Sequence, residues 1–587
     1  MIDRPAHART FFAAAAALFL GLSACGIPFR DAEIFQANTC QSTEDCGPDS
    51  LCIPVGEVSM CAAAKADLEG LLLEIRPSAQ AMNASSQPFL IGTAEQGLQL
   101  QNAVSGSISF NPVLPSQVSI SKGVVQCNTD QSSIESKIEF ARVAPFAGLN
   151  SKPAIADAVK QGADPGTYAF QTELPPGTYD IYVEPAPGVS CGGLPLPPIF
   201  IPEKAIATDS TFQLELAPAR HLTGTIKTSA GISLQGWTLQ VIDQEKGRLI
   251  SDIQTLDQPD PNVPADVSVH YNFMPTLTPK LKPLLRLAPP PDIIAPTVFW
   301  DVAYIDLLGT NMIDLQLTQL VFQPRKVAGH VLGQNAEAII STLTFQSTVL
   351  SGDAFANAAY TVTTETGTDG VFQDIGLPPG TYRVMAQPIA DQTKSIREVE
   401  WKIEEDPLNC FCGQVVTLSD KVLLQGNVST PKQGLIQDAD IVVSPSLPKP
   451  SSYLDRELRG TAFLPREASD YISGGAFSLP LDPGEVDFSV RPKANSGYPW
   501  LVRHRLDVQA DAEGNISSLG NITVPHPLVM TGIIADAKGN PMQAATVRAW
   551  LPVADETGSA RTAIQIAETV TDDLGHYTLL LPPSISP

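Results

Sequence analysis

The sequence predicts an all-β protein, a series of β-sandwiches behind a short N-terminal segment. Three observations lead there. Short apolar runs alternate with period 2 and are bounded by turn residues, of which the chain has 51 Pro and 42 Gly; that punctuation favours strands over helix bundles. A strand pattern built around a glycine returns roughly every hundred residues, which is the signature of repeated units. A Pro-Pro-Gly element returns later in the same units. The length, 587 residues, fits three to six domains at ~100–200 residues each. An apolar share of 43% is enough for ordinary globular cores.

The chain opens with Arg4 and Arg9, then an apolar run from Phe11 to Leu22. At ~12 residues that run is too short to cross a ~30 Å hydrocarbon layer as a helix, and it suits the apolar region of a signal peptide. Leu22-Ser23-Ala24-Cys25-Gly26 follows and resembles the lipobox of bacterial lipoproteins. The resemblance implies removal of residues 1–24, a diacylglycerol on the Cys25 thiol and, often, an acylated amine. Two or three chains at ~0.8 kcal/mol per buried CH₂ make a stable anchor where one is marginal. Gly26 in place of Asp, by resemblance to Gram-negative lipoproteins, implies the outer membrane, on its periplasmic or surface face. An ordinary signal peptide with an incidental cysteine is the alternative. No other run reaches ~18 apolar residues, so no second membrane segment is expected.

The formal charge is −25. Removing residues 1–24 takes away Arg4, Arg9 and Asp3 and leaves −26. Such a surface repels phosphate backbones, so nucleic acid is not an expected partner. The acidic residues are scattered, which fits a solvated surface better than a cation site.

Of nine cysteines, eight remain once Cys25 is set aside, an even number for an oxidising compartment. Cys40, Cys46, Cys52 and Cys61 fall close together in a stretch (40–61) too poor in apolar residues to have a core, so two disulfides are expected to staple it. It resembles the small cysteine-rich modules found just after lipidated termini. Four cysteines permit three connectivities, and none is selected by the spacing. Zinc is the alternative, but no CxxC pair and no nearby histidine supports it. Cys127 and Cys191 are expected to pair. Cys410 and Cys412 stay open between a bridge to each other, a redox role and distant partners.

The glycine-centred strand recurs as HLTGTIKT (Gly224), KVAGHVLG (Gly329), LLQGNVST (Gly426) and VMTGIIAD (Gly532), with an earlier match at VSGSISF (Gly106). The second element reads GTYAFQTELPPGTYDIYVEP at 166–185, GVFQDIGLPPGTYRVMAQP at 370–388 and, more weakly, GAFSLPLDPGEVDFSVRP at 475–492. Pro176 and Gly177 read as the centre of a type II turn, and the strands either side as a hairpin. Tyr179, Ile181 and Val183 share one face of the following strand, as do Tyr382, Val384 and Ala386, and Val486, Phe488 and Val490.

A leading strand with glycine, a T-x-x-x-G-x-[FY] approach and L-P-P-G-T-Y together resemble the carboxypeptidase regulatory-like domain, most closely over Thr366–Val384. The resemblance implies seven-stranded transthyretin-like (Ig-like) sandwiches, similar also to collagen-adhesin B-type repeats. The expected sandwiches are 69–218, 219–323, 324–419, 420–525 and 526–587, following a lipidated linker at 25–39. The second is divergent, with Pro289-Pro290-Pro291 and VFWDVAYIDL in place of the PPG element. The fifth ends at Pro582-Pro583-Ser584, where PPGTY would begin. It is expected to be partial, with an open core and an unpaired edge. A shortened reading frame is the first explanation, and a strand supplied by a partner is the second.

No catalytic constellation is legible. His7, His221, His270, His330, His504, His526 and His576 begin no HExxH or HxxE, and no GxSxG, Walker or GxGxxG loop occurs. No cofactor or metal is expected; Asp369, Asp572 and Asp573 read as turn residues lacking a calcium ligand ladder. Trp237, Trp300, Trp401, Trp500 and Trp550, one or two per unit, read as packing residues, as do Tyr179 and Tyr382. The expected function is a non-enzymatic, lipid-anchored envelope protein presenting sandwich surfaces for adhesion, binding or support, as a stiff rod with variable end loops. Its expected partners are the membrane, through the lipid, and envelope proteins or polysaccharide. The alternative is a carbohydrate-binding surface lipoprotein with starch-binding-like folds, and an enzyme with an unfamiliar site is the third reading.

Overall fold

A computed structural model describes residues 38–585, less 79–87, 93–100, 104–105, 113, 116–117, 145–148, 150–152, 161–167, 208–211, 217–219, 229–232, 258–264, 272–280, 302–311, 318–323, 352–356, 406–409, 447–450, 461–462, 510–515 and 555–559. Cys25 and residues 1–24, expected from the sequence to be a lipidation site and a signal peptide, lie outside the described residues. The protein is all-β, with five seven-stranded units of one topology.

Unit 3 shows the plan. Its strands are Arg325–Gly333, Ser341–Leu350, Thr361–Glu365, Val371–Leu377, Gly380–Pro388, Arg397–Ile403 and Phe411–Leu418. The first pairs antiparallel with the fourth and parallel with the seventh. The second pairs with the third and fifth, and the fifth with the sixth. Two layers result, 4-1-7 over 3-2-5-6. The alternation read in the sequence is the layer contact: Tyr382, Val384 and Ala386 are fully buried against Leu343, Phe345 and Phe372. At ~1.5–3 kcal/mol per large apolar side chain, this burial is the main force holding the layers together.

Two local expectations are corrected. The strands flanking Pro-Pro-Gly form no hairpin, because strand 4 and strand 5 belong to different layers. Prolines donate no ladder bond, and the chain uses the pair to cross between sheets. The type II turn is absent too. Gly177 has no positive φ, and Gly380 at φ 159° is nearly extended. Glycine is needed at 380 because a Cβ would press on the Val349 carbonyl and Leu350. The tyrosine two residues on ties down the crossover: Tyr179 Oη donates to the Pro175 carbonyl at 2.7 Å and Tyr382 Oη to that of Pro378 at 2.6 Å. Burial pushes the Tyr179 phenol up to about 12 and raises that of Tyr382 as well, so both stay protonated donors.

The leading glycine has a packing reason. In register it faces an aromatic of strand 4: Gly123 opposite Phe170, Gly329 opposite Phe372, Gly426 opposite Phe477 and Gly532 opposite Tyr577. A Cβ at Gly123 or Gly426 would overlap its ring, and one at Gly329 would overlap the Phe372 ring and the Gln414 backbone. Unit 1 therefore leads with Gly123, and Gly106 is a false match: it precedes the short strand Ser107–Ser109 of another unit.

Unit 4 repeats the plan from Val422–Ser429 to Ile516–Thr523. Unit 1, from Val118–Cys127 to Gln213–Leu216, joins its layers into one seven-stranded sheet through Ala154–Lys160 and Tyr168–Leu174. Unit 2 keeps the whole topology. Its strand 5 is Pro283–Ala288, which lies before the triple proline and not after it.

Unit 5 overturns the expected bounds 69–218 and 526–587. Its strands 1–4 are Leu528–Ile533, Thr546–Ala554, Ala560–Val570 and His576–Leu581; strands 5–7 are Leu72–Arg76, Phe89–Gly92 and Ser107–Ser109. The layers are again 4-1-7 and 3-2-5-6. The open edge expected at the C-terminal unit is filled by the N-terminal segment. Units not adjacent in sequence are also in contact. The helix Tyr453–Arg459 leaves unit 4 and lies on units 2 and 3, with Tyr453, Leu454 and Leu458 against Ile242, Leu284, Phe299 and Ala359.

Candidate functional site

The sites that can be built from residues upward are three: the disulfide module, the seam of unit 5 and the junctions between units. The module is a hairpin, Ser50–Val55 with Val58–Ala63, behind a 3₁₀ turn at Thr43–Cys46. Cys40 pairs with Cys52 and Cys46 with Cys61, with Cα–Cα separations of 5.9 and 5.3 Å, inside the usual range for a bridge. One of the three permitted connectivities is thus selected, and it uses the sulfurs that zinc would need. Cys127 and Cys191 pair inside unit 1 (Cα–Cα 5.5 Å), and Cys410 pairs with Cys412 across Phe411.

The module is seated on the far end of the chain. Asn38 Nδ2 donates to the Cys61 carbonyl (2.8 Å) and to that of Gly497 (2.9 Å). Lys432 Nζ donates to the Thr39 carbonyl (3.2 Å), and the Ala63 amide to that of Pro527 (2.9 Å). His526 Nε2 meets the Cys46 carbonyl at 3.1 Å, with the imidazole stacked on Tyr498. Burial lowers the His526 pKa, outweighing the opposite pull of that hydrogen bond, so the ring is held neutral.

The seam continues from there. Leu71, Leu73, Ile75, Phe89 and Ile91 pack into the core formed with Met530, Val547, Ala549, Ile566, Tyr577 and Leu579. Leu72–Arg76 pairs with Thr546–Trp550. The buried Glu74 carboxylate accepts from Trp550 Nε1 (3.0 Å) and from Arg76 (2.6 Å), which satisfies a charge that would otherwise be costly to bury. Tyr577 Oη donates to the Phe110 carbonyl (2.8 Å) and the Asp67 amide to that of Pro583 (2.8 Å). A Cβ on Gly532 would overlap the Phe110 carbonyl. The N-terminal strands were missed in the sequence, yet a signal existed. Strand 5 ends in Pro185, Pro388 and Pro492 in three units; Leu73-Glu74-Ile75-Arg76-Pro77 has the same ending.

Charged side chains also take part in the junctions. Between units 1 and 2, Arg248 pairs with Glu139 and lies over the Tyr182 ring, and Lys246 pairs with Asp180 at 3.6 Å. Units 2 and 3 share a sheet through Thr297–Asp301 and Ala358–Ala359. Between units 3 and 4, buried Asp482 accepts from Arg466 (2.8 Å) and from the Ile396 amide (3.0 Å), while Arg466 also donates to the Lys394 carbonyl (2.8 Å). Burial opposes the Asp482 charge, but Arg466 and the backbone donors outweigh it and hold its pKa below the usual value. Lys394 bridges Glu337 (2.6 Å) and Asp420 (2.7 Å), which raises its pKa, Asp420 first.

A cleft of ≈ 300 Å³ opens between units 4 and 5, lined by Glu467, Asp487, Arg491, Val502, Trp550 and Gln565. Beside it Asp487 accepts from Ser446 Oγ (2.7 Å) and meets His504 Nδ1 at 2.7 Å. The serine hydroxyl is bonded to the carboxylate and not to the imidazole, so this trio is not arranged as nucleophile, base and orienter. Asp369 accepts from the Val371 amide, and Asp572 from the Leu574 and His576 amides, which is the work of turn residues. Trp237 is buried, and Trp300, Trp401 and Trp500 pack on cores; Arg491 lies 4.1 Å from the Trp500 ring centre.

No family model and no curated protein matches the chain. Solved structures match it at low identity. A streptococcal ancillary pilin is 11% identical, with 52% of this chain and 99% of that chain covered and a TM-score of 0.19. The shaft pilin SpaA of Lactobacillus rhamnosus GG is 11% identical over 35% and 98%, TM-score 0.15. A candidate adhesin from Bacteroides ovatus is 11% identical over 34% and 92%, TM-score 0.16. At these scores the likenesses carry no argument about activity.

Proposed function

We propose that the chain is a non-enzymatic cell-envelope protein, anchored through lipid on Cys25, whose five sandwiches present surfaces for adhesion, binding or structural support. The observation that carries this reading is the use made of polar side chains between units. Arg248 and Lys246 bond to Glu139 and Asp180 of the preceding unit, and Arg466 and Asp482 bond to the backbone of unit 3 at Lys394 and Ile396, so that these groups fasten one sandwich to the next, while the buried aromatic residues fill cores. The parts serve to hold a large body together at its anchor. Mass spectrometry of the protein extracted from membranes tests it: the first peptide should begin at Cys25 and carry acyl chains, and an unmodified amino end at any earlier residue would remove the anchor.

One observation favours the carbohydrate reading. The Tyr471 ring is 49% exposed, with Lys493 Nζ 5.0 Å from its centre and Asp438 bonded to its hydroxyl at 2.6 Å, an aromatic plate with polar neighbours of the kind sugars stack on. A glycan array with wild type and Tyr471→Ala decides it: a glycan lost only by the variant supports sugar binding, and uniform silence ends it.

A further inference from the structure

Unit 5 is made of two stretches of chain that no covalent bond joins across the sandwich. Disulfides close within the module (Cys40–Cys52, Cys46–Cys61), within unit 1 (Cys127–Cys191) and between Cys410 and Cys412. Among the described residues none crosses the seam. The N-terminal stretch is held to the acceptor strands by side-chain burial, by the backbone ladder of Leu72–Arg76 with Thr546–Trp550 and by the Tyr577–Phe110 bond. It is continuous in sequence with the module, which sits on Pro527 and His526 of the same acceptor. Phe110, Asn111 and Leu114 are still bonded to Thr531, Ile533 and Ala535 of the acceptor, and the chain then passes through Pro115 to strand 1 of unit 1 at Val118.

From this we infer that the N-terminal stretch of one copy, module and strands together, closes unit 5 of a second copy, so the protein joins to itself by exchanging strands. Every contact available within one chain is available between two. The exchange therefore changes no side-chain or ladder contact, and the balance lies between association entropy and the geometry of the connection. Pro115 holds φ near −65° and stiffens that connection, which limits the directions in which a chain can close on itself. The recognition is strand addition: the main chain of Leu72–Arg76 supplies affinity, and the sites taken by Leu71, Leu73 and Ile75 supply register. Confinement on a membrane would raise the local concentration and favour exchange; that part rests on the proposed anchor, and the exchange itself does not.

The test uses two full-length copies with different tags, Arg76→Cys in one and Thr546→Cys in the other. These positions are register partners across the seam. Co-exported and run without reductant, they should give a disulfide-linked dimer carrying both tags, with a share that rises with expression level. A single chain with both substitutions cross-links within itself and shows that the pair can bond. Monomers alone, beside a cross-linked control, would overturn the inference. A second pair covers the case of a silent control. Leu73→Asp damages the donor in one copy and Leu579→Asp the acceptor in the other, so neither can close alone. Co-purification several-fold above two wild-type copies supports exchange, and its absence refutes it.

Discussion

Units 3 and 5 have the same seven strands in the same two layers, but unit 3 is one continuous stretch and unit 5 is shared by the two ends of the chain. Strands 2 and 5 of unit 3 are bridged by a hydrogen bond between residues 33 apart, whereas the corresponding bond in unit 5, Trp550 to Glu74, spans 476 residues. By loop-closure scaling alone the longer closure costs about 2 kcal/mol more, and the folded units between the ends reduce that figure. The comparison teaches that a local unit can fold as it emerges, while the shared unit waits for the last strand and then locks the module, unit 4 and both ends together.

The sharpest way to break the comparison is a buried charge at equivalent places. Leu73→Asp should cost more than ~4 kcal/mol and release residues 66–111 to protease while unit 3 stays protected. Val384→Asp should cost as much and unfold unit 3 with the N-terminal segment still docked. Peptide mapping after brief proteolysis reads both; a protected 66–111 in Leu73→Asp would contradict the seam.

The glycines should respond differently. Gly426→Ala meets the Phe477 ring and should lose ~1–3 kcal/mol by overpacking, with part of the loss recovered on adding Phe477→Leu. Gly532→Ala meets the Phe110 backbone carbonyl, so Tyr577→Leu should recover nothing. Denaturant midpoints of the single and double variants measure this.

Acid should act on unit 5 before unit 3. The His526 pKa is lowered in the folded protein, so the unfolded chain binds the extra proton first. The stability the neutral ring provides is present above the ordinary imidazole value of ~6.5 and lost as pH falls from there through the lowered folded value. Hydrogen exchange of the module should quicken across that window, and His526→Gln should flatten the response.

The smallest effect belongs to the crossover tyrosine. Tyr382→Phe removes the bond to the Pro378 carbonyl and should cost ~0.5–1.5 kcal/mol. Unit 5 has Leu71 at the matching place, with no such bond to lose, so Leu71→Ile should leave the ends joined. Thermal scans of both variants check the contrast.

Much of the repeat was legible because it is local. Alternation at Tyr382, Val384 and Ala386 marked a one-sided strand, and the burial confirms the face. The hairpin reading failed because Pro-Pro-Gly has the same residues whether the chain turns back or crosses to the other sheet. Unit 2 looked divergent because its strand 5, Pro283–Ala288, lacks the PPG that flags it elsewhere. The candidate site was less legible: the four clustered cysteines were plain, but their partners on units 4 and 5 were not.

By itself the sequence determined the repeat: the strand faces, the recurring glycine-centred strand and the cysteine count, whereas the proline crossover and the setting of that glycine against an aromatic were decided by packing. The first three depend on side chains within a few residues or one hairpin of each other. Which strands complete the last sandwich was decided only in three dimensions. A β-ladder is made by backbone groups common to every residue, so Leu72–Arg76 carries in its own letters almost nothing that names Thr546–Trp550 as its partner.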